Sequence, residues 1–293
     1  MIDALDRLAA GPSLLLDGAN GTELERRGAA CELPLWSTRA LLEDPALVRR
    51  VHADYALAGA DLLTANTFRT QRRVLAPAGL GGRAAELCAL AVRLAREAAA
   101  GHGREIGVLG SAAPLEDCFR PELVPDAVCL EQEHGEHARN LARAGVDAIL
   151  VETMNTTREA AAAVAAASAT GLPVLASFVC GADARLLSGE PLADALAALA
   201  QHRPAALLVN CLPPSRVAPC LAPLRASGLP FGVYANLGEP LDAGRIRHRE
   251  DQSPAAFAEL AAGWIEQGAR LVGGCCGTTP LHLRAVAQRV RNA

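Results

Sequence analysis

The chain has 293 residues, of which 51% are hydrophobic, and a formal net charge of −4 at pH 7. This length allows one large domain, and the weak negative charge gives no electrostatic reason to expect nucleic acid or an anionic membrane as a partner. The first 21 residues lack a basic segment and a long apolar run, and no apolar stretch is long enough to cross a bilayer. We therefore expect a cytoplasmic protein without a membrane segment.

Eight short apolar segments recur along the chain, each followed by a stretch with helical periodicity. They are SLLLD (13–17), ADLLTA (60–65), EIGVLGS (105–111), DAILVE (147–152), PVLASF (173–178), AALLVN (205–210), PFGVYA (230–235) and ARLVGG (269–274). Continuous apolarity over so few residues is typical of parallel strands that are buried on both faces. Eight β/α units in a chain of this length predict an α/β fold, a single-domain (β/α)8 TIM barrel over residues 1–293.

A doubly wound open sheet is the alternative arrangement of the same elements. Such a sheet usually has a glycine-rich phosphate loop after its first strand. The segment "DGANGTE" (17–23) is rich in glycine but lacks the G-x-G-x-x-G spacing. The sequence therefore favours the barrel and gives no indication of a dinucleotide site.

Polar residues and cysteines stand where the predicted strands end. In a (β/α)8 barrel these carboxyl ends form the rim that carries the chemistry. Read in chain order, the rim residues are Asp17, Thr64, Asn66, Ser111, Glu152, Ser177, Cys211, Tyr234, Asn236, Cys275 and Cys276. The chain contains no lysine, which excludes a Schiff-base mechanism.

Three of the nine cysteines fall on this predicted rim. Cys211 follows the sixth strand, and Cys275 and Cys276 follow the eighth within "GGCCGTTP". The flanking glycines permit backbone conformations that let two adjacent side chains serve one ligand. Three thiolates with one open position suit a catalytic zinc ion. Buried cysteines that only fill the core, and a strained disulfide between Cys275 and Cys276, are the alternatives.

Several motifs resemble the homocysteine S-methyltransferase family. They are "DGANGTELERRG", "LPLWS", "TANTF", "VETMNTTREA", "LVNC" and "GGCCGTTP", and they occur in this order from about residue 13 to residue 285. The resemblance implies that Cys211, Cys275 and Cys276 hold Zn²⁺. It also implies a methyltransferase that moves a methyl group from a sulfonium donor to the zinc-bound thiolate of homocysteine, which gives methionine.

The same resemblance implies how homocysteine is held. Asp17 and Glu152 match positions that bind its amino group, and the backbone N–H groups of Gly18 and Ala19 would bind its carboxylate. Fixed anions are what an ammonium group requires. A loop hydrogen bond or helix cap is the alternative role for Asp17, and a salt bridge to an arginine is the alternative for Glu152.

Three further rim residues complete the predicted substrate contacts. Thr64 lies at the end of the second strand, Asn66 follows it, and Asn236 follows the seventh. Asn236 is in addition a candidate for the fourth zinc ligand before homocysteine binds.

The sequence indicates a sulfonium rather than betaine as the methyl donor. Recognition of a trimethylammonium group favours aromatic faces, and the chain has only two Trp, two Tyr and five Phe. In the betaine-dependent branch of the family an aromatic residue follows "TF", where this chain has Arg69. The donor is then S-methylmethionine or S-adenosylmethionine. Trp36 of "LPLWS" either stacks near the sulfonium or is a packing anchor.

Other classes of protein remain as alternatives. One is a non-catalytic zinc-binding barrel that acts as a sensor or scaffold, and another is methyl transfer to a different small thiol or selenol. A zinc hydrolase is less favoured, because no HxH or H-E-x-x-H motif is present. His134 and His137 share a helix face and are expected to lie on the solvated surface. The sequence leaves the oligomeric state open.

Overall fold

The computed structural model describes residues 3–8, 10–240, 246–248 and 252–291. Its strands are β1 (Leu14–Leu15), β2 (Leu62–Ala65), β3 (Gly107–Ala112), β4 (Ala148–Met154), β5 (Val174–Phe178), β6 (Ala206–Asn210), β7 (Phe231–Ala235), β8 (Gly238–Pro240), β9 (Ile246–His248) and β10 (Leu271–Gly274). Its helices are α1 (Asp3–Asp6), α2 (Gly21–Arg26), α3 (Thr38–Glu43), α4 (Pro45–Ala58), α5 (Arg72–Leu75), α6 (Ala84–Ala99), α7 (Ala127–Ala144), α8 (Thr157–Ser168), α9 (Leu192–Leu199), α10 (Val217–Ala226), α11 (Pro254–Glu266) and α12 (Pro280–Arg291). Short 3₁₀ helices lie in the connections, at Ala76–Ala78, Gly81–Arg83, Pro121–Leu123, Ala182–Ala184, Ala200–His202 and Pro214–Arg216.

Eight parallel strands form a barrel with helices between them. Their order around the sheet is β1-β10-β7-β6-β5-β4-β3-β2. The sheet closes between β1 and β2 through a single bridge that pairs Leu16 with Leu62. The Asp17 N–H donates to the Leu62 carbonyl at 3.0 Å, and the Asp61 N–H donates to the Leu15 carbonyl at 2.7 Å. The predicted (β/α)8 fold and its eight strands are confirmed.

An antiparallel hairpin of β8 and β9 was not predicted. The two strands pair from Gly238 with His248 to Pro240 with Ile246. Each is three residues long, and neither has the apolar run that identified the barrel strands. The hairpin follows β7 and therefore starts at the rim of the barrel.

The core of the barrel is formed by every second residue of each strand, whose side chain points to the barrel interior. Leucines from β1, β2, β3, β4, β5, β6 and β10 fill the interior, together with Tyr234 from β7. Leu5 and Leu8, at and just after α1, pack against the same cluster. The larger apolar cluster lies between the outer faces of the strands and the helices. Every barrel strand is thus buried on both faces, which explains its continuous apolar sequence.

The helices begin and end where local chemistry requires. The Asp44 carboxylate accepts the Leu47 N–H at the start of α4, and Pro45 takes the first helical position. The helix ends at Gly59, whose φ of 114° is a left-handed conformation that favours glycine. Among the described helices, none combines the length and the apolarity that a membrane span requires.

The prediction that His134 and His137 lie on the solvated surface is wrong. Both side chains are 2% exposed, because the inner face of α7 carries them against the barrel. His134 Nε2 lies 3.2 Å from Glu159 Oε1, and His137 Nε2 lies 3.0 Å from the Ser111 carbonyl oxygen. The spacing of Leu130, His134, His137 and Leu141 on one helix face is the sequence signal for their burial.

Candidate active site

A cavity of about 840 Å³ opens at the carboxyl ends of the barrel strands. Nine of the ten predicted site residues line it: Asp17, Gly18, Ala19, Thr64, Asn66, Glu152, Cys211, Cys275 and Cys276. Residues far apart in the chain are brought to this one place because parallel strands end at the same rim. Asn236 is buried and is not part of the cavity lining.

The three predicted metal ligands form a compact cluster of thiols. The Sγ atoms of Cys211, Cys275 and Cys276 all lie within 4.8 Å of one another, and those of Cys211 and Cys276 are 3.9 Å apart. All three cysteines are free. Thiol side chains that converge in this way can hold one soft metal ion.

Local backbone geometry turns the thiols toward each other. Cys211 has a φ of 56°, a left-handed conformation that is uncommon for a residue other than glycine. Gly277 follows the cysteine pair with a φ of 85°, and its N–H donates to Thr22 Oγ1 at 2.8 Å. The Cys275 N–H continues the sheet by donating to the Ala235 carbonyl at 2.9 Å. The chain therefore leaves β10 and turns within two residues.

The proximity of the thiols shifts their pKa values in opposite directions. Hydrogen bonds from Cys211 and Cys276, together with a weaker one from Asn210 Nδ2, hold the pKa of the Cys275 thiol well below its usual range. The hydrogen bond to Cys275, the one to Cys276 and burial raise the pKa of Cys211.

Glu152 is held at the end of β4 by two hydroxyl groups. Ser111 Oγ donates to its Oε1 at 2.5 Å, and the Tyr234 hydroxyl donates to its Oε2 at 3.0 Å. Burial raises the pKa of Glu152 to about 7, although the Ser111 hydrogen bond opposes this shift. No arginine of the described residues lies within ion-pair distance, so the alternative of a salt bridge does not apply.

Asp17 is buried just after β1, where β1 meets β2. Its Oδ2 accepts the Thr64 N–H at 2.8 Å. Burial raises the pKa of Asp17 well above its usual range, and the Thr64 hydrogen bonds oppose this while the nearby Glu152 adds to it. Thr64 thus acts on the site through Asp17, and two buried carboxyl groups face one cavity.

The Gly18–Ala19 turn is fixed by two residues that were not predicted. The Ala19 N–H donates to Thr278 Oγ1 at 3.2 Å, and the Tyr55 hydroxyl lies 3.0 Å from the carbonyl oxygens of both Ala19 and Thr278. A Cβ at Gly18 would come within 2.7 Å of the Tyr55 ring. Thr278 belongs to the "GTTP" motif, which was the available signal, whereas Tyr55 lies on α4 without a motif.

The two predicted asparagines differ in their contacts. Asn66 Oδ1 accepts from Ser37 Oγ at 2.7 Å, and its Nδ2 donates to the Ser37 carbonyl at 3.0 Å. Asn66 therefore fixes the "LPLWS" loop against the rim. Both polar side-chain atoms of Asn236 are buried without a hydrogen-bond partner among the described residues.

Aromatic rings are concentrated at the cavity. Four of the nine aromatic residues line it, namely Trp36, Phe68, Phe119 and Tyr234. The rings of Trp36 and Phe68 meet edge to face with centroids 5.8 Å apart. The face of an aromatic ring, which is negative where its edge is positive, can attract an organic cation.

The fold and the site define a (β/α)8 barrel with a three-thiol cluster that could hold a metal ion, and two buried carboxyl groups, at its rim. The homocysteine S-methyltransferase family model matches residues 14–290, and the chain belongs to this family. It is 33% identical to a homocysteine S-methyltransferase of Escherichia coli, covering 94% of each chain, and 30% identical to homocysteine S-methyltransferase YbgG of Bacillus subtilis, covering 96% and 95%. The crystal structure of the E. coli homocysteine methyltransferase MmuM in a metallated form superposes with a TM-score of 0.85 at 30% identity, covering 98% of this chain and 100% of that one.

These similarities confirm two of the sequence predictions. The resemblance to the homocysteine S-methyltransferase family is confirmed, and so is the prediction of an enzyme of this class. The three-thiol cluster could hold a metal ion. The identity of that ion, the donor and the roles of the individual residues stay predictions.

Proposed function

We propose that this protein is a zinc-dependent methyltransferase that moves a methyl group from a sulfonium donor to homocysteine, giving methionine. The observation that carries the proposal is the convergence of Cys211, Cys275 and Cys276 within 4.8 Å in a cavity that also contains two buried carboxyl groups. The proposed homocysteine-binding unit is the whole barrel, residues 1–293.

The donor set fits a zinc ion. Three thiol ligands with a cavity on their open side leave one coordination position for a substrate, as in catalytic zinc sites. Among the described residues, no histidine lines this cavity. A ligand set of thiols alone favours a soft, thiophilic metal. Zinc bound there would lower the pKa of the homocysteine thiol and fix its sulfur as a thiolate.

Homocysteine would be oriented by the two carboxyl groups. Among the described residues, no cationic side chain is paired with Asp17 or Glu152, and the ammonium group of homocysteine would supply that positive charge. Ser111 on β3 and Tyr234 on β7 would hold Glu152 in place. The substrate carboxylate would meet the Gly18–Ala19 turn, where the Ala19 N–H would exchange its long bond to Thr278 for a charged acceptor.

The transfer is a single displacement that requires no protein nucleophile. The homocysteine sulfur forms a bond to the methyl carbon, the donor S–CH₃ bond breaks, and its electron pair stays on the departing thioether. The thiol proton leaves to solvent. The aromatic wall of Trp36, Phe68 and Phe119 would stabilise the cationic sulfonium before its charge is lost.

A methyl-transfer assay tests the proposal. Zinc-loaded protein is incubated with homocysteine and, in separate tubes, S-methylmethionine, S-adenosylmethionine or betaine, and methionine is quantified. We expect methionine from a sulfonium and none from betaine. Cys276→Ala is expected to keep its circular dichroism spectrum but to lose bound zinc and turnover.

Two outcomes would contradict the proposal. A folded Cys276→Ala protein that transfers methyl groups at the wild-type rate would exclude the metal role. A wild-type protein that binds one zinc and yields no product from any donor, with homocysteine or selenohomocysteine as acceptor, would favour the non-catalytic barrel.

A further inference from the structure

A second cavity lies at the amino ends of the barrel strands, opposite the candidate active site. Its volume is about 780 Å³, which is within the range of small-molecule sites. Four arginines line it, namely Arg7, Arg104, Arg270 and Arg291. Arg104 lies before β3 and Arg270 lies directly before β10, and these strands flank the β1–β2 junction. The barrel therefore brings arginines from distant parts of the chain to one place.

Three of these arginines share a single carboxylate oxygen. Asp61 Oδ1 lies 2.9 Å from Nη2 of Arg291. The same oxygen lies 3.6 Å from a guanidinium nitrogen of Arg7 and 3.6 Å from one of Arg104, which is too long for a hydrogen bond. Asp61 Oδ2 accepts the Leu15 N–H at 2.9 Å. One carboxylate thus faces three guanidinium groups and cannot neutralise them.

Two of the guanidinium groups have unused donors. Arg7 Nε and Arg104 Nη1 have no hydrogen-bond partner among the described residues. The side chains of Arg7 and Arg104 are nevertheless 32% and 30% exposed, so an anion can reach them from the cavity. Burial lowers the pKa of Arg104, Asp61 opposes this shift, and Arg291 and Arg7 add to it. An additional anion would relieve this repulsion between like charges.

The charge of the cavity lining favours a dianion. Two carboxylates, Asp61 and Glu105, stand among the four guanidinium groups, which leaves two positive charges in excess. A phosphate monoester carries about −1.5 to −2 charges at pH 7 and has three strong acceptor oxygens, whereas a carboxylate carries a single charge. Guanidinium groups also match the geometry of phosphate oxygens through their paired N–H donors.

We propose that this cavity binds a phosphate group, as inorganic phosphate or as the phosphate of a small ester, at a site separate from the active site. Small rotations of the Arg7 and Arg104 guanidinium groups would bring their unused donors to the phosphate, while Asp61 keeps its bond to Leu15. Ile265 also lines the cavity and would contact the organic part of an ester. The proposal does not depend on the methyl-transfer activity.

Titration calorimetry with inorganic phosphate at constant ionic strength tests the site. We expect one saturable site in the wild type and an affinity about tenfold lower in Arg7→Gln. The Arg7 side chain forms an ion pair with Asp61 and no hydrogen bond to the described residues, so the variant should keep its circular dichroism spectrum. No saturable binding of millimolar phosphate to the wild type would overturn the proposal.

Two further arginine variants separate this site from net charge and from the active site. Arg83 forms an exposed ion pair with Glu86 at 2.6 Å and lines neither cavity, so Arg83→Gln should bind phosphate as the wild type does. Arg69 lines the active-site cavity, and Arg69→Gln should also leave the affinity unchanged. An equal loss in Arg7→Gln and Arg83→Gln would overturn the proposal, and so would a loss confined to Arg69→Gln.

Glycerol 3-phosphate, titrated in the same way, identifies the source of the phosphate group. Tighter binding of the ester than of inorganic phosphate, with the same loss in Arg7→Gln, would support a phosphorylated metabolite as the ligand. Equal or weaker binding of the ester, again lost in Arg7→Gln, would support the free ion. An affinity for both compounds that Arg7→Gln leaves unchanged would overturn the site.

Discussion

The substitution Glu152→Gln is expected to stabilise the metal-free protein, and to do so more at pH 8 than at pH 5. Burial raises the pKa of this carboxyl from 4.5 to about 7 on folding. The stability that this carboxyl group contributes is fully present below pH 4.5, because the group is then protonated in both the folded and the unfolded protein. It is lost as the pH rises from 4.5 to 7, where the unfolded chain ionises and the folded protein does not. The loss is roughly 3 kcal/mol above pH 7, of which about 2.5 kcal/mol falls between pH 5 and pH 8.

Urea unfolding of chelator-treated protein measures this difference. The free energies of unfolding of the wild type and Glu152→Gln are compared from pH 5 to pH 8, so that the titration of other buried groups cancels in first order. Glutamine keeps a carbonyl oxygen for the Ser111 hydroxyl. Glu43→Gln, at an exposed position on α3, controls for the loss of one acidic residue.

The expected result is a gap between Glu152→Gln and the wild type that widens by about 2.5 kcal/mol over this range. Relief of the repulsion on Asp17 has the same sign. A gap that is equal at pH 5 and pH 8 would refute the reasoning. The stabilised variant should also lose affinity for homocysteine, since it lacks a charge for the ammonium group.

Two further predictions concern packing and charge. A Cβ at Gly21 would lie 2.2 Å from the Trp36 ring, so Gly21→Ala should displace that ring and raise the KM for the donor. The substitution should also lower the free energy of unfolding by about 1–3 kcal/mol. Gly263→Ala is the control, because a Cβ there would meet open space and should change neither quantity. An unchanged donor KM in a folded Gly21→Ala protein would exclude a role for Trp36 in donor binding. Asp61 lies against three arginines at the other end of the barrel. Asp61→Asn should therefore lower the free energy of unfolding by about 1–3 kcal/mol. Calorimetry is expected to show a lower Tm, and an equal Tm would contradict this.

The strands and the thiol cluster could be predicted because their signals are local. A continuous apolar run fixes a buried parallel strand, and the residue that ends it is at the rim once the barrel is assumed. This reasoning brought Cys211 and the Cys275–Cys276 pair together across 65 residues of sequence. Strand ends were predicted to within about two residues, because caps and glycines mark them.

The partners of the site residues could not be predicted in the same way. Ser111 and Tyr234 are 41 and 82 residues from Glu152, and only the register of three strands brings them together. The error on His134 and His137 has a different cause. Polar residues on an amphipathic helix face outward by default, and these two are buried because Glu159 and a strand carbonyl satisfy them.

The seam between β1 and β2 has a consequence for motion in solution. Every other pair of neighbouring barrel strands has two or more registered residue pairs, whereas this junction has one bridge. Backbone amides at the seam should therefore exchange with deuterium faster than those of β4 and β5, since opening there breaks the fewest bonds. Asp17 spans the seam through its bond to Thr64, and a bound ammonium group would hold that carboxylate in its ionised, bond-accepting form. Bound homocysteine should then stabilise the junction of β1 and β2. Amide exchange at Leu62 and Thr64 would be slower with homocysteine bound, while the exchange rates of β5 stay unchanged.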